Sequence, residues 1–444
     1  MNLADHPTVR ELAAGAQAST ATTPFDPEWL KAFCLEAGAD DAGCVSIEHP
    51  DLADQRAAIL KFFPATKTLV SLVARMNREP IRNPARSVAN LEFHHTGHRV
   101  DEVARHLVAV LEARGIRAIN PPMAFPMEMD APDGRAWIVS HKPVAVAAGL
   151  GRMGIHRNVI HPQFGNFILL GTVLVGAEVT AYAKPIDYNP CLECKLCVAA
   201  CPVGAIGPDG HFDFSACYTH NYRDFMGGFG DWVERIADSR DARDYRRRVS
   251  APETASMWQS LAYGPNYKAA NCLAVCPAGA DVIGPFLDDR RAYLDAVVRP
   301  LQDAKEVVYV VPGSDAEDYV QRRFPHKRPR RVGNGLARVG SVRRFLHGLP
   351  LVFQRGRAKG LALTLHFRFT GAEQLEGTVE IRDQKLAVRE GLHGEPDLAV
   401  TADSRTWLGF TAKERGLVGA LLSRRIRLRG SPKHLLAFGR CFPS

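Results

Sequence analysis

Long apolar runs are missing from this 444-residue chain. The longest, Phe167 to Ala177, falls far short of the roughly 20 residues that cross a bilayer as a helix. The opening stretch, MNLADHPTVRELAAGAQ, has no basic patch followed by an apolar core and no twin arginine. The expectation is a cytoplasmic protein with neither transmembrane segment nor export signal. Acids are missing locally: none occurs between Asp318 and Glu373, where twelve bases fall from Arg322 to Lys359. Without those twelve, 44 of the 56 bases face 48 acids, so the net charge of +8 belongs to one segment. That segment holds Phe324 and Phe345 but no dense aromatic interleaving for base stacking. It reads as a solvated linker. Nucleic acid, an anionic membrane surface and an acidic electron donor are its weaker candidate partners.

Composition is ordinary for a folded protein, with 46% hydrophobic and 23% charged residues. The length suggests about three domains. A chain of this size needs no disulfides to fold, and in a reducing compartment clustered cysteines point to metal. Of the ten cysteines, Cys34, Cys44 and Cys441 stand apart and read as structural.

The other seven carry the chemistry. Cys191, Cys194, Cys197 and Cys201, the last followed by Pro202, have the spacing of a cubane-binding run. Three thiolates wrap one corner of a 4Fe–4S cluster and the fourth ligates a neighbouring cluster. Structural zinc is the alternative, but zinc does not require this triple spacing. A second motif, NYKAANCLAVCPAG, supplies Cys272 and Cys276, and Cys217 lies between the two. By the crossed rule, Cys191, Cys194, Cys197 and Cys276 hold the first cluster, and Cys201, Cys217 and Cys272 the second. Ala269 stands where a further ligand usually falls. The second cluster is then 3Fe–4S, or 4Fe–4S with a fourth ligand from water, substrate, Tyr267, His220 or a distant thiol. Its open iron could bind substrate, although an electron relay is the favoured reading.

Along the chain, 51–63 reads as a helix, 66–74 as a buried strand, 98–114 as a helix and 167–175 as another buried strand. In the helix Val103, Leu107, Val110 and Leu111 share a face, and Gly115 caps its end. Residues 305–313 read as a strand and turn. From 361 the pattern alternates: Leu361, Leu363, Leu365, Phe367 and Phe369 on one face, Thr364, His366 and Arg368 on the other. A second strand, a helix, a short basic strand and a last helix complete a small α+β domain. Gly149, Gly151 and Gly154 match the dinucleotide fingerprint in spacing, but IHRNVIHP after them is a poor helix. His94 and His98, with His95 between them, have helical spacing for a metal but read better as exposed histidines.

The stretch HKPVAVAAGLGRMGIHRNVIHPQFGNFILLGTVLVGAEV, followed by NPCLECKLCVAACPVGAI, resembles epoxyqueuosine reductases and the catalytic region of reductive dehalogenases over residues 28–290. The resemblance implies a nitroreductase-like domain holding cobalamin, fed with electrons by a ferredoxin-like segment. It makes Gly149, Gly151, Gly154, His161 and Gly165 cofactor-binding residues. The family's acid before the glycine loop has no clear counterpart here. Arg135 falls near its place, and Asp133 is the nearest substitute as proton donor. Residues 340–444 resemble the sterol carrier protein type 2 family, which implies an apolar tunnel for a lipid or acyl chain. Arg424, Arg425, Arg427 and Arg429 would lie near its mouth.

The expected architecture is an α+β multidomain protein. A flexible lead-in (1–26) precedes a nitroreductase-like cofactor domain (27–184) and a ferredoxin-like two-cluster segment (185–300). A strand and basic linker (301–339) and a sterol-carrier-like domain (340–444) follow. The expected function is an iron–sulphur reductase that takes electrons from a ferredoxin or flavodoxin. It would pass them to a corrinoid for dehalogenation- or epoxide-type reduction of a small apolar substrate. The rivals are a non-enzymatic electron-transfer or lipid-binding protein and a tRNA-modifying reductase.

Overall fold

The computed structural model describes residues 3–15, 24–128, 137–337, 339–412, 414 and 416–443. Thirteen strands occur among them. In chain order they are β1 (Asp41–Ser46), β2 (Thr68–Arg75), β3 (Ala118–Ile119), β4 (Arg152–Met153), β5 (Val159–Ile160), β6 (Ile168–Val175), β7 (Val307–Val310), β8 (Arg328–Arg331), β9 (Leu363–Thr370), β10 (Leu375–Arg382), β11 (Lys385–Glu390), β12 (Leu398–Asp403) and β13 (Ile426–Gly430). The chain divides into two compact units.

The first unit comprises Met1–Arg78, Leu91–Glu193 and Pro277–Gly284. Its sheet runs β1-β2-β6-β3, antiparallel throughout. Strand side chains alternate between faces, so each face needs its own cover. Leu69 and Val73 of β2, with Leu170 and Leu174 of β6, join Ile59, Val144 and Ala147 on one side. Val70, Leu72, Val173 and Val175 join Leu30, Cys34, Val103, Leu107 and Leu111 on the other. The helix Pro27–Glu36 starts with Asp26 accepting from Glu28 N–H at 3.0 Å and with proline in its first turn.

Both strands and both helices expected here form, with shifted ends. The helix expected from residue 98 begins at Arg86, because its first turns carry exposed Val88 and Leu91 and so give no periodic signal. Val110 is only half-buried on that helix, and Ala104 takes its place in the core. Cys34 and Cys44 lie in the same core, where burial pushes each thiol up to about 12. Residues 1–26 are not all loose. Pro7–Gly15 is helical, and Phe25 pairs with Val179 in a parallel bridge.

The second unit comprises Glu79–Asn90, Cys194–Cys276 and Pro285–Ser444. The expected linker is folded: β7 and β8 pair in parallel around the helix Asp315–Arg323. Several bases from Arg322 to Lys359 pair with acids of the same unit. Lys327 meets Glu306 at 2.8 Å, Arg330 meets Glu253 at 3.2 Å, and Arg331 meets Glu317 at 2.5 Å. Arg343 pairs with Glu390 and Arg357 with Asp318.

The five-stranded sheet of the C-terminal part runs β11-β10-β9-β12-β13, with β9 and β12 parallel. Leu363, Leu365, Phe367 and Phe369 are buried as the alternation requires. Thr364 and His366 are buried as well, against expectation. Thr364 N–H donates to Asp397 Oδ2 at 2.8 Å, and the His366 ring bonds His393 O at 3.0 Å, so the loop before β12 covers this face. The Leu363–Phe369 face meets Phe345, Trp407, Ala420 and Phe438 in one packed cluster. Phe345 and Phe367 lie 5.3 and 5.4 Å from Trp407, centroid to centroid. These rings pack the strand face directly against its neighbours. Arg424, Arg425, Arg427 and Arg429 are exposed beside it.

Candidate metal centre

Glu193 and Lys195 flank Cys194 with left-handed backbones, φ 50° and 60°, rare for residues with a side chain. These turns let the run coil tightly between its cysteines. The Cys191 N–H donates to Asn189 Oδ1 at 3.0 Å. The short helix Leu196–Ala200 then carries Cys197 and ends at Cys201. Burial pushes the Cys197 thiol up, and the nearby Cys272, Cys276 and Cys194 thiols add to it. These four sulphurs of the second unit therefore share one neighbourhood.

Cys201 is buried, and burial raises its thiol. The amides of Val203, Ala205, Ile206 and Gly204 turn towards the sulphur and oppose that rise. The Ala205 N–H lies 3.3 Å from Sγ. A ring of backbone donors around one sulphur is what a cluster thiolate requires, since those donors stabilise its charge. Gly204 permits this loop, with φ at 64° and its α-carbon against the Tyr319 ring.

Cys217 and Cys272 come from separate helices, Phe214–His220 and Asn271–Ala274. Asn271 Nδ2 donates to Ala200 O at 3.2 Å and ties the second motif to the first. Burial holds the Tyr222 phenol well above its ordinary range, and the nearby Tyr267, Cys217 and Cys272 add to it. Ala269 is 8% exposed, with its N–H on Asn221 Oδ1 at 3.0 Å. Among the described residues no three His, Cys, Asp or Glu side chains gather on a single-ion site. The donor set suits iron–sulphur chemistry: cysteines at cluster spacing and backbone amides aimed at the Cys201 sulphur. Cys191, Cys194, Cys197 and Cys276 would hold one cluster, and Cys201, Cys217 and Cys272 the other.

Two candidates for the missing ligand look different in three dimensions. Burial pushes the Tyr267 phenol up to about 12, and its ring packs on Phe225 at 4.5 Å. His220 is 1% exposed, and burial holds it down to about 3. Its Nδ1 accepts the Tyr309 N–H at 3.3 Å, which leaves the proton of the neutral ring on Nε2. In that tautomer Nε2 offers a donor rather than a lone pair for iron. Tyr222 and Arg86 were not singled out in the sequence. Neither belongs to the cysteine spacing, and Arg86 lies far upstream of Cys272.

The helix that presents Cys217 has its own titrating cap. Asp213 accepts the Ala216 N–H at 2.9 Å. Burial, aided by Asp315, raises its carboxyl from the ordinary 3.8 to about 6. A carboxyl raised on folding contributes stability below its unfolded value and loses it as pH climbs through the folded one. The contribution of Asp213 is therefore lost between about pH 4 and pH 6. Asp213→Asn keeps the cap and should flatten that window. Urea midpoints at either end of it will show the difference, and equal slopes for both proteins would refute the assignment.

The residues named for a corrinoid belong to the first unit and are engaged by the chain itself. Added Cβ atoms at Gly149 and Gly151 would strike Lys184 O and Ile160 O, and one at Gly154 would strike His156. Gly165, at φ 65°, lies against Ala278 O. His161 bonds Asp41 Oδ2 at 3.0 Å and accepts amides from Gln163 and Phe164, with its ring stacked on Phe164 at 4.6 Å. His156 is bonded on both ring nitrogens, to Asn158 N–H and Asn166 Nδ2. Each of these glycines is thus closely approached by other groups of the first unit. Asp133 and Arg135 lie outside the described residues. His94 is half-buried and His95 and His98 are exposed. Gly165→Ala should cost more than about 1 kcal/mol of stability. Thermal unfolding will check it; an unchanged midpoint would mean that Ala278 yields readily.

A family model described as a 4Fe-4S binding domain matches residues 184–207. An epoxyqueuosine reductase from Cellulophaga algicola is 30% identical over 112 residues, 22% of this chain and 36% of that protein. One from Listeria monocytogenes is 24% identical over 218 residues, 46% of this chain and 53% of that protein. The chain thus spans only about a third to a half of the length of these two relatives. Among solved structures, epoxyqueuosine reductase from Streptococcus thermophilus is 14% identical, with a TM-score of 0.35, over 61% of this chain and 78% of that one. A catabolic reductive dehalogenase is 16% identical, with a TM-score of 0.37, over 61% and 34%. Palmitated SCP2L2 from Aedes aegypti is 22% identical, with a TM-score of 0.17, over 19% and 86%. No helix among the described residues is long and apolar enough to cross a membrane.

Proposed function

We propose that the protein is an iron–sulphur oxidoreductase of the epoxyqueuosine reductase type. Two clusters would take single electrons from a ferredoxin or flavodoxin and deliver them to an acceptor. The observation that carries this reading is the cysteine set. The Cys191–Cys201 run matches a 4Fe–4S domain, and the fold gathers Cys272 and Cys276 beside Cys194 and Cys197. Within that set the backbone amides at 203–206 stabilise the Cys201 sulphur, and Asn271 fixes the second motif against the first. Bound clusters supply one-electron transfer at potentials set by ligands, hydrogen bonds and burial.

The acceptor named by the family resemblance is a corrinoid, and the reaction is reduction of a halide- or epoxide-bearing substrate. The alternative is an electron-transfer protein without a corrinoid. One observation favours that alternative: Gly149, Gly151, Gly154 and Gly165 are packed against the chain. Gel filtration of anaerobically purified protein mixed with hydroxocobalamin separates the two. The corrinoid reading expects about one cobalt per chain and a cobalt spectrum that changes on reduction. Cobalt eluting free, with clusters that still accept electrons from reduced flavodoxin, would establish the alternative.

A further inference from the structure

Arg86 opens the helix Arg86–Ala113 and belongs to the second unit, as do the second group of cysteines. Its Nη1 makes one long bond, 3.5 Å, to Asn83 O. Its Nε and Nη2 are buried and have no hydrogen-bond partner among the described residues. Arginine stays protonated in proteins, so two buried donors are left wanting an acceptor.

The location gives this meaning. One turn along the same helix face, Asn90 is 3% exposed and clamps the backbone of Tyr267. Its Nδ2 donates to Tyr267 O at 3.3 Å and its Oδ1 accepts Tyr267 N–H at 2.9 Å. Two residues later comes Ala269, held by Asn221. The helix end bearing Arg86 is thereby fixed to the segment that lacks a cysteine. Burial lowers the pKa of the guanidinium, and the nearby Glu306 and Cys272 oppose that fall.

We propose that Arg86 and the corner left by Ala269 form a binding site for a small carboxylate, which becomes the fourth ligand of the cluster held by Cys201, Cys217 and Cys272. The inference rests on the two-cluster reading. Nε and Nη2 are the two parallel donors of a guanidinium fork, the geometry that matches a carboxylate. A cluster with three thiolates carries one negative charge fewer than one with four, and the carboxylate restores it. It supplies a lone pair to the iron and displaces solvent, and no electron changes hands. Ala269 puts a methyl group where a cysteine would have offered a sulphur ligand.

The test uses the full chain, anaerobically purified and reduced, titrated with carbon-13 formate. Sodium chloride at the same ionic strength serves as the control. Pulsed electron–nuclear resonance should detect a saturable carbon-13 coupling at one of two clusters in the unaltered protein. Ala269→Cys should abolish the coupling while keeping the iron. Arg86→Gln should raise the half-saturating formate concentration by about tenfold or more, since it removes a charge-assisted pair of hydrogen bonds. Arg86→Lys keeps the charge without the fork and should fall between.

Iron near eight per chain with no coupling would overturn this inference and leave the two-cluster reading intact. A 3Fe–4S signal that persists after ferrous iron and thiol are added would do the same. Equal half-saturation in Arg86→Gln and the unaltered protein would remove Arg86 from the site. Iron near four per chain would overturn both readings.

Discussion

Cys217→Ser should purify with about half the iron of the unaltered chain, lose one of two paramagnetic signals, and retain no steady-state electron transfer. Cys217 sits on a helix capped by Asp213, outside the compact run, and like Cys272 it lies near the buried Tyr222. Removing its thiolate leaves the second cluster with Cys201 and Cys272 only. Two protein ligands do not retain a cubane through purification. The first cluster draws on Cys191, Cys194, Cys197 and Cys276 and should survive. Cys276→Ser should give the complementary loss. Full iron in Cys217→Ser, with both signals unchanged, would remove Cys217 from the ligands and require another ligand set.

Phe367→Ala should destabilise the C-terminal part by about 3–5 kcal/mol. Phe367 is fully buried, at 0% exposure, and its ring contacts Phe345, Phe369, Trp407 and Phe438 at 5.4–5.8 Å between centroids. Truncation there removes the transfer contribution of the ring and leaves a cavity that such rigid neighbours cannot close. A side chain on the wall of a lipid tunnel would behave differently, because one flank of it already faces a ligand or empty space. Urea denaturation, followed through the C-terminal transition, distinguishes the two. A loss below about 1 kcal/mol would place Phe367 on a cavity wall and revive the tunnel expected from the alternating strand.

What the sequence made legible was local. The cysteine run is readable because cluster binding imposes fixed spacing on neighbours in the chain. The strands Thr68–Arg75, Ile168–Val175 and Leu363–Thr370 are readable because burial imposes a short period. Features set by distant partners were not readable. Lys327, Arg330 and Arg331 look like a free basic stripe until Glu306, Glu253 and Glu317 are brought to them. Thr364 and His366 look solvent-facing until Asp397 and His393 cover them. The spacing of the glycines from 149 to 165 does not reveal which groups approach them, and in the fold these are Lys184 O, Ile160 O and Ala278 O. Arg86 has no motif at all, and only Asn90 reveals its setting, by gripping Tyr267 from one turn away.

The central claim is that this chain carries two iron–sulphur clusters, one of them short of a cysteine. The most direct measurement is iron and acid-labile sulphide per chain on anaerobically purified protein, combined with Mössbauer spectroscopy. The account predicts about seven to eight irons with matching sulphide, and one iron environment distinct from the cysteine-bound sites. Four irons in a single set of equivalent sites would contradict it.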